Sequence, residues 1–398
     1  MENQLLINQK QKISNWREKN IQNFGIDLSF ADVPEWKRTK HVHRLHPYLG
    51  KFIPQLVEIF LKKYFKSGQT ILDPFLGSGT TLIEANLLNM NSIGIELSEF
   101  SYLIAKVKTQ KYNIELVEKE ILDILNKTKE FSKEVQVGSK SLLGEDFDFQ
   151  PSEYFKTWYH PKTIKEIYFY RSLIPDYKNQ DILKIILSRA ARSARQIPHY
   201  DLARPTKPVK ERYWCIKHRQ YCKPIDNAIK FINRYSWDTI KRIKEFDRLR
   251  TPAKIILLQG DARKIKLSIG KDIDGIFTSP PYLGLIDYHD QHRYAYDLFN
   301  FKEYPEAEIG SPNKNGNNKN NKKEKYKNDI VAVFKNMKNY LKDRAKIFIV
   351  VNDKYNLYPE IAKECGFQFI DVFHRPVLMR TERDNNKFSE NIYYLINE

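Results

Sequence analysis

The chain has 398 residues, 41% hydrophobic and 29% charged, with a net charge of +18 and a pI near 9.4. That length is enough for two or three domains with a large core. No apolar run approaches the roughly 18 residues of a membrane span, three cysteines (Cys215, Cys222, Cys365) are too few for a disulfide framework, and the basic balance points to a polyanionic partner.

The N-terminus, "MENQLLINQKQKISNW", lacks the cationic-then-apolar layout of a leader, so a cytoplasmic location is expected. The first forty residues are polar and read as a helix and an arm. "KFIPQLVEIFLKKYF" carries Phe52, Leu56, Ile59 and Phe60 at helical spacing and stops at "KSGQ". "TILDPF" reads as a short buried strand, "GSGTTLIEANLLNM" as a glycine turn running into a helix, and "NSIGIELS" as a second strand. From about Gln110 to Thr251 the pattern is helical ("NIELVEKEILDILNKTKEF", "DILKIILSRAARSARQI", "DNAIKFINRYSWDTIKRIKEFDRLR"). Its middle, "PHYDLARPTKPVKERYWCIKHRQYCKP", is rich in proline, basic residues and aromatics. Strands resume in "KIILLQGDA", "IDGIFTSPPY" and "AKIFIVVND", and "FQFIDVFHRPVLMR" with "NIYYLINE" reads as a terminal hairpin. The low-complexity stretch "GSPNKNGNNKNNKKEKYKND" is expected to be a mobile loop, a lid or a linker.

Strands alternating with helices argue an α/β fold, a mostly parallel Rossmann-like sheet covered on both faces. Three parts are expected: 1–110, an arm and the first half of a ligand-binding domain; 111–250, an inserted, mostly helical, basic domain; and 251–398, the second half. Ligands of such sheets bind at the carboxyl ends of the strands, where every candidate site falls.

"ILDPFLGSGTT" places Asp73 at a strand end and Gly77 and Gly79 in the turn into a helix, where a backbone without Cβ can approach a ligand. It is neither GxGxxG nor a Walker loop, since no lysine follows the glycines. Glu96 ends the next strand and suits a ribose diol. Asp261, in "LLQGDAR", could accept from an adenine amino group. The corner "TSPPYLG" aims Ser279, the Pro280 carbonyl and the Tyr282 ring at one point, as an unstacked base with an exocyclic amine requires. Accepting that amine's protons concentrates its lone pair on nitrogen and makes it nucleophilic toward an electrophilic methyl group. Each of these segments, alone, also reads as an ordinary strand-end turn.

Together they resemble the SAM-dependent DNA amino-methyltransferases, which make N4-methylcytosine or N6-methyladenine. "DPFLGSGTT" is similar to the family's SAM-binding motif, "TSPPY" to its catalytic motif, and "HPYLGKFIP" (His46 to Pro54) to the motif that packs around the methionine end of SAM. The resemblance implies that S-adenosyl-L-methionine is held by His46, Lys51, Phe52, Asp73, Pro74, Phe75, Gly77, Gly79, Thr80, Thr81, Glu96 and Leu97, with Asp261 and Ala262 at its adenine. It implies that Ser279, Pro280, Pro281 and Tyr282 act on the target base. The motif order, with a long insert before "LLQGDAR" and "TSPPY", departs from the family's usual groupings, so target recognition is assigned to 111–250 from charge and composition.

Between Ser188 and Arg250 there are 17 lysines and arginines against 6 acids. Arg189, Arg192 and Arg195 share a helix face with no interleaved acids, as phosphate binding would require. Arg204, Lys207, Lys210, Arg212, Trp214, Lys217 and Arg219, with Tyr213, Tyr221 and Lys223, mix charge with aromatics and suit contact to double-stranded DNA. Cys215, His218 and Cys222 have a C-x2-H-x3-C spacing, but a structural zinc needs four ligands. Only His199 is an obvious fourth, so no metal is expected.

The expected activity is sequence-specific methylation of cytosine N4 in double-stranded DNA with base flipping, because serine at position 279 is the commoner pattern among cytosine enzymes. The rival readings are adenine N6, an RNA amine, or a non-catalytic DNA-binding protein. No nuclease constellation is present in the sequence, so a cognate restriction endonuclease would be a separate chain; nucleoid association would follow from DNA binding.

Overall fold

The computed structural model describes residues 18–25, 27–48, 50, 53–137, 149–199, 206–284, 288–310, 319–377 and 388–398. Its strands are β1 (Thr70–Asp73), β2 (Asn91–Glu96), β3 (Tyr213–Cys215), β4 (Gln220–Cys222), β5 (Ile255–Gln259), β6 (Ile273–Thr278), β7 (Leu341–Val351), β8 (Phe367–Val377) and β9 (Phe388–Asn397). Seven of them form one sheet in the order β5-β2-β1-β6-β7-β9-β8, and β3 and β4 pair separately. β5, β2, β1, β6 and β7 are parallel neighbours. β9 runs antiparallel to both β7 and β8, the terminal hairpin expected from sequence.

The central strands are apolar on both sides because both faces are covered. On one face the helix Pro54–Tyr64 sets Phe60 against Phe277 and Phe348. On the other the helix Lys319–Lys338 buries Ile330, Phe334 and Met337. From β1 the chain moves outward through β2 to β5, then returns to β6 on the other side of β1. The crevice at the carboxyl ends of β1 and β6 is therefore the sheet's topological switch point, where ligands bind.

The low-complexity segment departs from expectation. Residues 311–318 lie outside the described residues, but from Lys319 the chain is helical, not a mobile loop. Composition hid an apolar face: Tyr326, Ile330, Val333, Phe334 and Met337 are buried at helical spacing beneath a lysine-rich exterior.

The helices from Ile114 to Leu249 share one core with the helix Glu99–Thr109. Phe100, Leu103, Ile104 and Val107 pack with Ile121, Leu125, Ile186, Ala190, Ile240 and Ile243, so packing crosses the boundary expected at residue 110. The two ends of the insert meet: the Arg250 guanidinium donates to the carbonyls of Gln110 at 3.0 Å and Thr109 at 3.2 Å. Among the described residues no helix is long and apolar enough to cross a membrane.

Candidate active site

A cleft of about 990 Å³, its open mouth included, lies at the switch point. Its walls include Asp73, Pro74, Phe75, Gly77, Thr80, Glu96, Leu97, Asp261, Ala262, Ser279 and Pro281, so four strand ends and the corner after β6 converge as the sequence implied.

Asp73 sits on the floor, 1% exposed. Its Oδ1 accepts from the Thr278 hydroxyl at 2.7 Å and from the Phe75 amide at 3.2 Å. Burial lifts its pKa to about 6, opposed by hydrogen bonds from Thr278, Thr81 and Phe75. Glu96 closes the same loop: Oε2 accepts the Gly77 amide at 2.7 Å and Oε1 the Ser98 amide at 2.8 Å. Burial raises it to about 7 against those two amides, and the nearby Asp73 charge adds to the rise. Burial also pushes Asp261 upward, but the Arg263 guanidinium more than offsets it and holds the carboxylate below its ordinary value. Arg263 donates to both Asp261 oxygens, at 2.9 Å and 2.8 Å, leaving lone pairs for a further donor.

The loop is shaped for a polar ligand. Gly77 and Gly79 hold φ of +51° and +81°, and a Cβ on Gly77 would meet the Tyr48 ring at 3.4 Å. The hydroxyls of Ser78 and Thr80, both in the cleft wall, are buried and find no partner among the described residues. Orphaned hydroxyls beside the Glu96 carboxylate suit S-adenosyl-L-methionine, whose polar groups would satisfy them.

Several expected residues stand elsewhere. Lys51, Phe52 and Arg204 lie outside the described residues. His46 is fully buried behind the cleft, its Nδ1 2.8 Å from the Pro47 carbonyl and its Nε2 3.3 Å from the Tyr294 hydroxyl; desolvation holds it well below its ordinary pKa. Thr81 is buried and donates to the Phe277 carbonyl at 3.2 Å, bracing the switch point from below. Gly79, Pro280 and Tyr282 are not among the cleft's walls. Tyr282 instead donates its hydroxyl to Glu390 at 3.0 Å, and Glu390 is paired with buried Arg375. The corner is braced again from the unexpected helix, where the Tyr326 hydroxyl donates to the Pro281 carbonyl at 2.9 Å.

The arginines of "SRAARSAR" also turn inward, and they do not share one helix face as expected, because the helix Gln180–Ala194 ends before Arg195, which is extended. Ile186, Ala190, Ala191 and Ala194 of the same helix are buried, so it is packed on nearly all sides. Arg189 is ion-paired with Asp238 at 2.7 Å and lies over the Tyr235 ring. Arg195 is 4% exposed and donates to the Arg192 carbonyl, and Arg192 is half-buried beside Tyr294 and Tyr235. The missing acids mark burial, and the counter-charge comes from another helix. By contrast Lys207, Lys210, Arg212, Trp214, Lys217, Arg219, Tyr221 and Lys223 are exposed around β3 and β4.

Sequence reasoning missed Tyr48, Ser98, Ser101, His289 and Glu308, which also line the cleft. Tyr48, two residues after His46, was the legible one; its hydroxyl lies 3.2 Å from that of Ser101. His289 and Glu308, 3.3 Å apart, meet only through folding, and no local pattern announces them. Buried Lys108 was missed too: it donates to the Ser78 carbonyl at 3.1 Å and steadies the glycine loop.

A family model described as DNA methylase matches residues 2–107. The type II methyltransferase M.MjaII of Methanocaldococcus jannaschii is 42% identical over 456 aligned positions, which cover 97% of this chain and 86% of that protein. The type II methyltransferase M.BsoBI of Geobacillus stearothermophilus is 37% identical over 93 residues, 22% of this chain and 18% of that one. The solved structure of TrmN from Thermus thermophilus aligns with a TM-score of 0.35 at 11% identity, over 88% of this chain and 50% of that chain, too remote to bear on the fold. Identity of 42% sustained over nearly the whole of both chains is a relationship of family, not of fold alone: this chain belongs to the SAM-dependent DNA amino-methyltransferases.

Proposed function

We propose that the protein methylates the exocyclic N4 of cytosine within a specific sequence of double-stranded DNA, after flipping the target nucleotide into the cleft. The observation that carries this reading is the shared wall: Ser279 and Pro281 line the same cleft as Asp73, Glu96 and Asp261. One proposed amine acceptor, Ser279, thus shares a wall with the residues proposed to hold the cofactor, and the Pro280 carbonyl adjoins it just outside that wall.

When bound, S-adenosyl-L-methionine supplies a methyl group on a positively charged sulfur. Glu96 would accept from the ribose hydroxyls and Asp261 from the adenine amine, while Asp73 fixes the loop between them through Thr278 and the Phe75 amide. The Ser279 hydroxyl and the Pro280 carbonyl accept hydrogen bonds from the target amine, so its lone pair is localised on nitrogen. The new carbon–nitrogen bond would form as the methyl carbon–sulfur bond breaks, its electron pair staying on sulfur in the departing S-adenosyl-L-homocysteine, and the amine would shed a proton to solvent. Tyr282, bonded to Glu390 and within hydrogen-bond reach of Ser279, acts first as the brace that aims the serine. The exposed cluster at β3 and β4 supplies phosphate and groove contacts. The type II names of the relatives support a place in restriction-modification, with the endonuclease on a separate chain.

Cytosine is favoured because residue 279 is a serine, the commoner pattern among cytosine-N4 enzymes of the family, where adenine enzymes more often carry an aspartate. Mass spectrometry of nucleosides from treated duplex DNA tests the reading. N4-methyldeoxycytidine is the expected product; N6-methyldeoxyadenosine alone would transfer the same mechanism to adenine.

A further inference from the structure

Outside the cleft, four soft ligands converge where the insert makes its only described strands. β3 and β4 pair at three positions, Tyr213↔Cys222, Trp214↔Tyr221 and Cys215↔Gln220, apart from the main sheet. A lone hairpin of that length is marginal in water. Its outer side is also apolar: Trp214, Ile216 and Tyr221 are 54%, 56% and 70% exposed. Something other than a hydrophobic core must hold it.

Beneath it lie His199, Cys215, His218 and Cys222, with one ligand atom from each within 4.8 Å of all the others. Cys215 Sγ is 3.8 Å from His199 Nδ1, and His218 Nδ1 is 3.4 Å from Cys222 Sγ. The Cys215 and Cys222 sulfurs lie within 4.8 Å of each other. A tetrahedral zinc with Zn–S of about 2.3 Å and Zn–N of about 2.0–2.1 Å has S···N edges of about 3.6 Å and S···S edges of about 3.8 Å. The two S···N separations each lie within about 0.2 Å of that edge, and all four ligand atoms lie within 4.8 Å of one another. The turn delivers the ligands: Arg219, at φ +51°, donates its amide to the Cys215 carbonyl at 2.7 Å, which folds His218 back beside Cys215.

We propose that His199, Cys215, His218 and Cys222 bind a structural zinc ion that staples this hairpin to the insert. Two thiolates and two imidazoles in tetrahedral array select zinc over the oxygen-seeking cations. Four protein ligands close the shell, so the site is structural and not catalytic. Binding releases the two thiol protons, and the two negative charges left on sulfur neutralise the ion while both imidazoles stay neutral. The Tyr213 hydroxyl lies 3.1 Å from His199 Nδ1 and is the partner that a bound metal would replace. A second buried group, His41, His43 and Glu84, does not suit a cation, because the Lys40 ammonium already lies 2.8 Å from the Glu84 carboxylate.

The test is elemental analysis of full-length protein purified without chelators or metal-affinity resin. One zinc per chain is expected. Cobalt exchange should give the visible spectrum of a tetrahedral site with thiolate charge transfer. Cys215→Ser and His218→Ala should lose metal and that spectrum, His218→Cys should keep both, and Cys365→Ser should behave as the parent. Calorimetry with S-adenosyl-L-methionine should find the Cys215→Ser and His218→Ala variants still competent, which separates loss of metal from loss of fold. Substoichiometric zinc in protein from zinc-supplemented cells, with Cys215 and Cys222 reacting freely with a thiol reagent whether or not zinc is added, overturns the proposal.

Discussion

The Thr278 hydroxyl donates to Asp73 Oδ1 at 2.7 Å, joining the last residue of β6 to the last residue of β1. One carboxylate therefore holds both the loop proposed to bind the cofactor, through the Phe75 amide, and the strand end that presents Ser279. Asp73→Ala should lower affinity for S-adenosyl-L-methionine at least tenfold on this reading. Thr278→Val, which removes one hydroxyl from a buried acceptor, should cost stability on the order of 1–3 kcal/mol with a smaller effect on affinity. Titration calorimetry and denaturant unfolding measure the two; unchanged affinity in Asp73→Ala would remove the loop from the cofactor site.

Glu96 titrates near 7, above its ordinary 4.5, because it is buried beside Asp73. Only the ionised carboxylate accepts from both hydroxyls of a ribose diol. Affinity for S-adenosyl-L-methionine should therefore be full above pH 7 and weaken as pH falls below it, with proton release on binding near that pH. For folding the sign is opposite in consequence: a raised acid pKa favours the folded state below pH 4.5 and costs it stability as pH rises through 7. Glu96→Gln should bind weakly and lose the pH dependence; a parent affinity flat from pH 6 to 8 would contradict the assignment.

Ser279→Ala should reduce turnover far more than binding of either substrate, because it acts on the amine. Tyr282 divides two roles. If it braces the corner through Glu390, Tyr282→Phe should lower turnover nearly as much as Tyr282→Ala. If its ring stacks on the flipped base, Tyr282→Phe should be mild and Tyr282→Ala should lose roughly 1–3 kcal/mol of DNA affinity. Single-turnover kinetics with DNA titrations distinguish them.

The two basic groups should behave differently. Arg189→Ala removes one of the two arginines on Asp238, leaving Arg242 Nε at 3.3 Å, and should destabilise the fold by about 1–3 kcal/mol, less than the roughly 3–5 of a buried charge left wholly unpaired. It should leave the salt dependence of DNA binding unchanged. Lys217→Ala and Arg219→Ala should leave the melting temperature alone and flatten the log–log salt slope by about 0.9 for each phosphate contact removed. A melting curve and a salt titration on the same samples decide.

What was legible in the sequence was local. Strand ends carrying Asp73, Glu96 and Asp261 are readable because apolar runs, glycines and acids follow one another within ten residues. The serine–proline corner is readable because proline fixes its own geometry. What was not legible depended on distant partners. Nothing near Arg189 says that Asp238 will meet it. Nothing near Tyr282 announces Glu390. The helix after Lys319 was misread because lysine and asparagine dominate its composition, although its buried positions keep a helical period. His199 was the reverse case: it was the one obvious fourth ligand, set aside because three of four matching residues is a common accident, and the fold places it beside Cys215.

Arg250 clasps the two ends of the insert, so in chain terms the 111–250 segment is a loop that leaves and rejoins at one point. Such closure would ordinarily make a segment exchangeable. Here Phe100, Leu103 and Val107 would lose their cover if it were removed. On the proposed reading, changing the DNA target by exchanging this whole region would expose that apolar flank. Point changes on the outward hairpin, at Trp214, Lys217, Arg219 and Tyr221, would leave the shared interior fixed.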